Sequence, residues 1–256
     1  MKYYVIDAFT DELFRGNPAG VCILDRELDD ATMQNIAAEN NLSETAFVLR
    51  RGEYYDLRWF TPKVEVNLCG HATLGSAFVI DNFIDANASE IRFETKSGTL
   101  TVNKEDDLYV LNFPARKPKK TEITPQMEQA IGATICEALI SSYLLLLLEN
   151  EQQIQNLTLD FELIRQLAAP VIVTAKGYTV DFVSRFFAPN VGIPEDPVTG
   201  SAHTMLIPFW SERLAKKKMT AMQLSERGGM IFCEDCGERV KIAGKAVLYL
   251  QGEVNI

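Results

Sequence analysis

Two short stretches of the chain combine a glycine with residues that could do chemistry. The first, NLCGHATLG (residues 67 to 75), contains a cysteine and one of the two histidines, and the second, EDPVTGSAH (195 to 203), contains an aspartate and the other histidine. In each stretch an apolar segment follows the glycine, so Gly70 and Gly200 are predicted to open helices. The first N–H groups of a helix have no partner within it, and the helix dipole favours an anion there.

These two helix starts are therefore predicted to bind the carboxylate of a small-molecule substrate through backbone N–H groups at Gly70, Gly200 and Ser201. If two domains face each other, both starts could reach one interdomain cleft, which is a common place for a ligand. The alternative is that both are well-capped core helices that bind nothing. The polar residues around the two glycines differ, and this divergence favours a chemical site over simple duplication.

Four residues near these stretches, Glu44, His71, Asp196 and His203, are candidates for moving a proton, and His203 is expected to be a buried structural residue instead. Glu44, in NLSETAFV, stands between apolar neighbours at the start of a predicted strand. A carboxylate in an apolar cleft can act as a general base and then as an acid. His71 could donate or relay a proton, and Asp196 lies beside the Gly200 turn. Their structural alternatives are a solvated strand-edge glutamate, a hydrogen-bonded histidine and a turn aspartate.

The cysteines are weaker candidates for proton transfer or metal binding. A thiol at a helix N-terminus can serve as a base, which makes Cys69 a candidate. A racemase that uses two thiols needs a second cysteine at the equivalent position, but that position is Thr199. The sequence thus excludes a two-cysteine mechanism, and Cys69 is alternatively a small buried residue. The CEDC segment (233 to 236) lacks a second ligand pair and is interpreted as a hairpin turn, so no metal site is predicted.

The chain repeats itself once. RWFTP (58 to 62) matches RFFAP (185 to 189), and EVNLCGHA (65 to 72) matches EDPVTGSA (195 to 202), in the same order and about half a chain apart. An internal duplication into two domains of one architecture explains this order. Each copy is predicted to run strand, helix, strand, strand, glycine-led helix and hairpin strands, and Pro208 is expected to kink or shorten the second central helix.

Composition limits the class of protein. The formal net charge is −10 and 47% of the residues are hydrophobic, so the chain can bury a core, and a phosphate-backbone partner is disfavoured. No nucleic acid or membrane partner is therefore expected. The N-terminus resembles a strand rather than a signal peptide, and the longest apolar run, YLLLLL (143 to 148), is too short to span a bilayer. Five cysteines fit reduced thiols, and a cytoplasmic location is predicted.

Four ordered motifs, GNPAGV (16 to 21), NLSETAFV, RWFTP with EVNLCGHATLGSA, and EDPVTGSAH, carry a resemblance over essentially the whole chain. The sequence resembles the phenazine-biosynthesis isomerase (PhzF-like) family, which has the diaminopimelate epimerase-like fold. The resemblance implies an α+β protein of two pseudo-symmetric domains, each a mostly antiparallel sheet curled around a central helix. It also implies a homodimer, no cofactor and an active site between the domains.

The domains implied are residues 1–114, joined by a returning strand at 246–256, and residues 115–245. The family's catalytic glutamate, histidine and aspartate match Glu44, His71 and Asp196 of this sequence. Its anion-binding turns match Gly70 and Gly200 with Ser201. The second half is short around LENEQQIQNLTLDF, which leaves the substrate open.

The sequence thus predicts a cofactor-independent isomerase that moves a proton on a small carboxylate-bearing substrate by general acid–base catalysis. Two alternatives stay open. One is an amino-acid epimerase or racemase that uses a single base, and the other is a non-catalytic protein that binds a small acid and has kept the fold.

Overall fold

A computed structural model describes residues 1–86 and 89–256 of the chain. The chain divides into two compact units, one formed by residues 1–112 with 243–256 and the other by residues 113–242. In both units a mixed sheet is combined with helices. No helix among the described residues is both long enough and apolar enough to cross a membrane.

The described part of the first unit contains two α-helices, one π-helical turn and nine strands. The elements are β1 (Lys2–Ala8), β2 (Asn17–Leu24), α1 (Asp30–Asn40), β3 (Glu44–Arg51), β4 (Tyr54–Phe60), β5 (Glu65–Val66), α2 (Gly70–Val79), a π-helical turn (Ile80–Ile84), β6 (Glu90–Thr95), β7 (Gly98–Glu105), β8 (Leu108–Pro114) and, after the second unit, β18 (Ala246–Glu253).

The second unit contains four helices. The elements are β9 (Lys119–Thr121), α3 (Pro125–Ile131), β10 (Glu137–Ile140), β11 (Leu144–Leu147), α4 (Glu151–Gln155), α5 (Phe161–Arg165), β12 (Val171–Lys176), β13 (Phe182–Ala188), a 3-10 turn (Pro189–Val191), β14 (Ile193–Asp196), α6 (Gly200–Leu214), β15 (Lys218–Gln223), β16 (Gly229–Asp235) and β17 (Arg239–Gly244).

The two sheets have the same strand order. In the first unit the order is β18, β1, β2, β3, β4, β6 and β7; β2–β3 and β4–β6 are parallel pairs and the other pairs are antiparallel. In the second unit the order is β9, β10, β11, β12, β13, β15 and β16, with parallel pairs at β11–β12 and β13–β15. Each unit therefore repeats one topology, including a short strand, β5 or β14, beside its fifth strand.

Helix α2 is the central helix of the first unit. Its sequence, GHATLGSAFV, is apolar on nearly every side, and eight of its ten residues are buried. It packs on β1, β2 and β3, and Gly75 allows the close approach, since a Cβ built there would lie 3.4 Å from the Cβ of Ile6 and 3.6 Å from that of Ala19. A helix that is apolar all round needs such complete cover.

Helix α6 takes the central position in the second unit. Pro208 is expected to kink or shorten this helix, and the shortening is wrong, because α6 continues past Pro208 to Leu214 and is longer than α2. Proline has no N–H and so leaves the carbonyl four residues earlier, that of Thr204, without its helical donor. The backbone N–H of Arg116 donates to this carbonyl at 2.9 Å, which removes the reason for the helix to end.

Further along α6, the ring of Trp210 stacks on Phe182, and its indole N–H donates to the hydroxyl of Thr174.

Both halves of the sequence repeat contain the same ion pair. Arg58 on β4 makes two hydrogen bonds of 2.8 Å to the two carboxylate oxygens of Glu65 on β5. Arg185 on β13 contacts Glu195 on β14 in the same two-pronged way at 2.7 and 2.8 Å. This fork geometry is the strongest arginine–carboxylate arrangement. Each pair spans the turn that leads to a glycine-led helix, and we call it the Arg–Glu brace.

We predict that Glu65→Gln destabilises the protein at neutral pH by about 1–2 kcal/mol, because the brace is partly exposed to solvent. Hydrogen bonding to Arg58 lowers the pKa of the Glu65 carboxyl. The ionised Glu65 carboxylate therefore stabilises the fold above pH 4.5, the ordinary pKa of glutamate, and this stabilisation is lost as the pH falls below that value. Urea unfolding of the wild type and the variant over this range measures the difference, with the exposed Glu53→Gln as control. A difference that is absent at neutral pH, or one that does not shrink in acid, would contradict the prediction.

Candidate active site

In the first unit three polar side chains meet at the start of α2. The Nε2 atom of His71 lies 3.3 Å from the Oε2 atom of Glu44. The sulfur of Cys69 lies 3.5 Å from Nδ1 and 3.9 Å from Nε2 of the same imidazole ring. Cys69 and His71 are buried, and the Glu44 side chain is 13% exposed. The structure thus brings two of the sequence-predicted proton-transfer residues, Glu44 and His71, into direct contact.

A fourth side chain, that of Asn17, completes this group. Its Nδ2 atom lies 3.2 Å from Nδ1 of His71, and the residue is fully buried. Asn17 begins β2 and Glu44 begins β3, and these strands are parallel neighbours in which Ala19 lies opposite Glu44. Because parallel neighbours start at the same edge of a sheet, both side chains reach the start of α2.

A tight turn delivers Asn17 to this position. Gly16 has a φ of +64°, and a Cβ placed there would lie 2.2 Å from the carbonyl oxygen of Ala8. Only glycine fits such a turn without displacing backbone. Phe9 and Phe14, in the same loop, also have positive φ values of 65° and 68°. Non-glycine residues rarely adopt this conformation, and such strain concentrates at functional sites.

The surroundings of His71 determine its charge and its tautomer. Burial lowers the pKa of His71 to about 3, so the ring is neutral at physiological pH and carries one N–H. The Asn17 amide donates to Nδ1, which leaves the hydrogen on Nε2. That N–H is directed at Glu44. His71 is therefore a neutral hydrogen-bond donor to the carboxylate rather than its cationic partner.

In the second unit a separate group surrounds the start of α6. The hydroxyl of Thr199 donates to Oδ2 of Asp196 in a short contact. The buried amide of Gln223 donates to the backbone carbonyl of Asp196 at 2.7 Å and accepts from the backbone N–H of Thr199 at 2.8 Å. Asp196 and Thr199 are thus fixed at the end of β14, where the chain enters the helix.

Two further side chains lie in the first turn of α6. The hydroxyl of Ser201 is 2.9 Å from the hydroxyl of Tyr143, whose ring packs edge-on against Phe186. The Nδ1–H of His203 donates to the carbonyl of Thr199 at 2.8 Å. Burial lowers the pKa of His203 to about 4, so this histidine is a neutral structural residue.

The two glycine-led helices start in the same manner. The N-cap residues are Cys69 for α2 and Thr199 for α6, and in neither case does the side chain accept a capping hydrogen bond from the first turn. Both side chains are directed elsewhere, to His71 and to Asp196. Cys69 and Thr199 therefore occupy equivalent positions, which agrees with the exclusion of a two-thiol mechanism.

Sequence reasoning missed three residues of these groups, Asn17, Tyr143 and Gln223. Asn17 lies within the GNPAGV motif, but only the fold shows that this amide reaches His71. The prediction that CEDC is a turn is wrong for three of its four residues: Cys233, Glu234 and Asp235 end β16, and the hairpin turn begins only at Cys236, which is exposed. Within the part of the chain that the structure describes, the group able to hold a metal is Glu44, Cys69 and His71, whose donor atoms all lie within 4.8 Å of one another.

Comparison with known proteins agrees with this architecture. The family model of phenazine biosynthesis-like proteins (PhzC-PhzF) matches residues 6–252. An uncharacterized isomerase of Pseudomonas aeruginosa is 50% identical to this chain, with 100% of the chain and 99% of the relative covered. The crystal structure of a PhzF family phenazine biosynthesis protein of Enterococcus faecalis is 47% identical, with a TM-score of 0.98 over 100% of this chain and 99% of that one.

A more distant structure, that of a predicted epimerase of Pseudomonas aeruginosa, is 19% identical and has a TM-score of 0.77 over 99% of this chain and 98% of that one. At this identity the likeness shows the fold alone. The fold is the diaminopimelate epimerase-like fold, and the predicted α+β class is confirmed. The chain belongs to the phenazine biosynthesis-like (PhzC-PhzF) family, and it is an enzyme of the isomerase class.

We predict that the two histidines are neutral and have opposite tautomers, with the hydrogen on Nε2 in His71 and on Nδ1 in His203. The chain has only these two histidines, so long-range ¹H–¹⁵N correlation spectra of the imidazole rings can assign both. Neither ring should titrate between roughly pH 5 and 8, in contrast with an ordinary histidine.

Asn17→Asp replaces the donor to Nδ1 by a carboxylate, which accepts hydrogen bonds when ionised. In this variant the Nδ1 atom of His71 should become protonated, and His203 should keep its spectrum as an internal control. An Nδ1–H tautomer of His71 in the wild type would refute the role assigned to Asn17.

Proposed function

We propose that this isomerase moves a proton on a small carboxylate-bearing substrate by general acid–base catalysis, with Glu44 as the base. The observation that carries the proposal is the directed Nε2–H of His71 at 3.3 Å from the Glu44 carboxylate. A neutral donor orients a carboxylate without pairing its charge. A carboxylate has about four lone-pair sites, so the hydrogen bond from His71 does not by itself prevent Glu44 from taking a substrate proton.

The proton balance of the reaction is simple. Glu44 takes a proton from a carbon next to an unsaturated or carbonyl-bearing group, and the electron pair moves into that group. The resulting carboxylic acid then returns a proton to a different carbon, so the double bond has moved and the enzyme is regenerated. General acid–base assistance of this kind is typically worth ~10²–10⁴-fold in rate.

The remaining site residues have supporting roles in the proposal. His71 and Asp196 orient polar groups of the substrate and relay a proton. Thr199 supports the Asp196 assignment because its hydroxyl holds the carboxylate in one orientation. Gly70, Gly200 and Ser201 are proposed to bind the substrate carboxylate, because the N–H groups of a helix start favour an anion.

The proposal also covers the cofactor, the oligomeric state, the location and the partners of the enzyme. We propose a cofactor-independent reaction, a homodimer and a cytoplasmic location, with neither nucleic acid nor membrane as a partner. The negative net charge supports the exclusion of nucleic acid, since phosphate-backbone binding needs clustered positive charge.

Glu44→Gln should lower turnover by at least ~10²-fold and should leave substrate binding nearly intact, because glutamine keeps the shape and the acceptor oxygen but cannot take the proton. The assay incubates a pool of carboxylate metabolites with the enzyme and detects new isomers by liquid chromatography and mass spectrometry. Thermal-shift titration with the compound so identified measures binding. Glu53→Gln, an exposed glutamate changed in the same way, is the matched control.

Several outcomes would contradict the proposal. If Glu44→Gln converts the compound at the wild-type rate, Glu44 is not the base. If the product is inverted at one carbon without a shifted double bond, the protein is a one-base epimerase or racemase. If the wild type is stabilised by a compound that it never converts, the protein is a binding protein that has kept the fold.

A further inference from the structure

Glu44, Cys69 and His71 supply three different donor atoms for a metal ion. These are a carboxylate oxygen, a thiol sulfur and an imidazole nitrogen, and all three lie within 4.8 Å of one another. No other group of three such side chains occurs within residues 1–86 and 89–256. Soft thiolate and imidazole ligands select thiophilic cations such as Zn²⁺ over Mg²⁺ or Ca²⁺.

Two of the three donors, Glu44 and His71, already have the spacing of a tetrahedral zinc site. Zinc bonds of about 2.3 Å to sulfur and about 2.0–2.2 Å to nitrogen and oxygen place nitrogen and oxygen about 3.4 Å apart, and sulfur about 3.6 Å from either. Here the Nε2 of His71 is 3.3 Å from Glu44 and 3.9 Å from the sulfur of Cys69. The carboxylate distance fits the tetrahedral value. The sulfur lies closer to Nδ1, at 3.5 Å, so a cation bound at Nε2 requires the Cys69 side chain to rotate toward that nitrogen.

A supporting ligand is also in place. A histidine that binds metal through one nitrogen usually donates its other N–H to an oxygen, which fixes the ring. Asn17 lies 3.2 Å from Nδ1 of His71, and rotation of its amide by half a turn presents an oxygen there. The ring can therefore keep its position when Nε2 turns from donor to metal ligand.

We propose that Glu44, Cys69 and His71 form a binding site for one thiophilic divalent cation, and that its occupation inhibits the enzyme. Binding forms one bond to each donor atom, releases the thiol proton to solvent and involves no oxidation. Three protein ligands leave a fourth position for water, which is the pattern of open zinc sites. The inhibition, though not the binding, rests on the proposed function, because the cation would occupy the carboxylate and the imidazole assigned to proton transfer.

Co²⁺ is the first probe, because a cobalt–thiolate bond gives a charge-transfer absorption in the near ultraviolet that does not depend on enzyme activity. We expect the wild type to bind one equivalent of Co²⁺ with this absorption and with release of a proton. Zn²⁺ should displace it. The matched control is the double variant Cys136→Ser and Cys236→Ser, which removes the two exposed thiols and should bind Co²⁺ like the wild type.

Substitutions at the site should weaken binding to different degrees. Asn17→Ala, which removes only the outer support, should cost ~10–100-fold in affinity. Cys69→Ser should abolish the charge-transfer absorption, and Glu44→Gln should weaken binding more than Asn17→Ala does. Melting curves of the metal-free variants establish that each is folded. If Cys69→Ser does not fold, Cys69→Ala replaces it as the variant without the thiol.

The absence of a charge-transfer absorption in the wild type would overturn the proposal, as would an absorption that survives Cys69→Ser and disappears in the double variant. The two proposals fail separately. Cobalt binding without isomer formation would refute the function and leave the metal site standing. If the wild type forms the isomer equally well with and without Zn²⁺ and does not bind Co²⁺, the metal site alone is refuted.

Discussion

The Arg–Glu brace is the interaction on which both helix starts depend. In each unit an arginine on the fifth strand of the sheet holds a glutamate on the short strand that follows, at 2.7–2.8 Å through both carboxylate oxygens. The guanidinium groups of Arg58 and Arg185 also lie over the rings of Phe60 and Phe187, each 5.2 Å from the ring centroid. The brace fixes the short turn from which the chain enters its central helix, so the polar groups at that start have defined positions.

Burial then determines the protonation state and the hydrogen-bond partners of those polar groups. An unpaired polar group in a protein interior is costly, so each one must find a partner. His71 does so by remaining neutral, accepting from Asn17 and donating to Glu44. The same arrangement that satisfies the buried ring therefore aims an N–H at the proposed base. In the second unit, Thr199 and Gln223 satisfy Asp196 in a comparable way.

Much of this could be predicted from the sequence because duplication made the pattern visible. The repeat indicated two copies of one topology and both glycine-led helices, and Glu44 was identified from its place between apolar neighbours. Contacts between distant segments could not be predicted. Asn17 and His71 are 54 residues apart and meet only because α2 packs on β2. The length of α6 could not be predicted either, because the donor that compensates for Pro208, the N–H of Arg116, lies in a remote segment.

The central claim is that Glu44 moves a proton between substrate carbon atoms, and isotope exchange tests it most directly. The substrate identified from the carboxylate pool would be incubated with the enzyme in D₂O, and carbon-bound deuterium in the product would be located by mass spectrometry and NMR. With the wild type, deuterium is expected at the carbon that gains the proton, and with Glu44→Gln none is expected above background. Equal incorporation by the two proteins would contradict the claim.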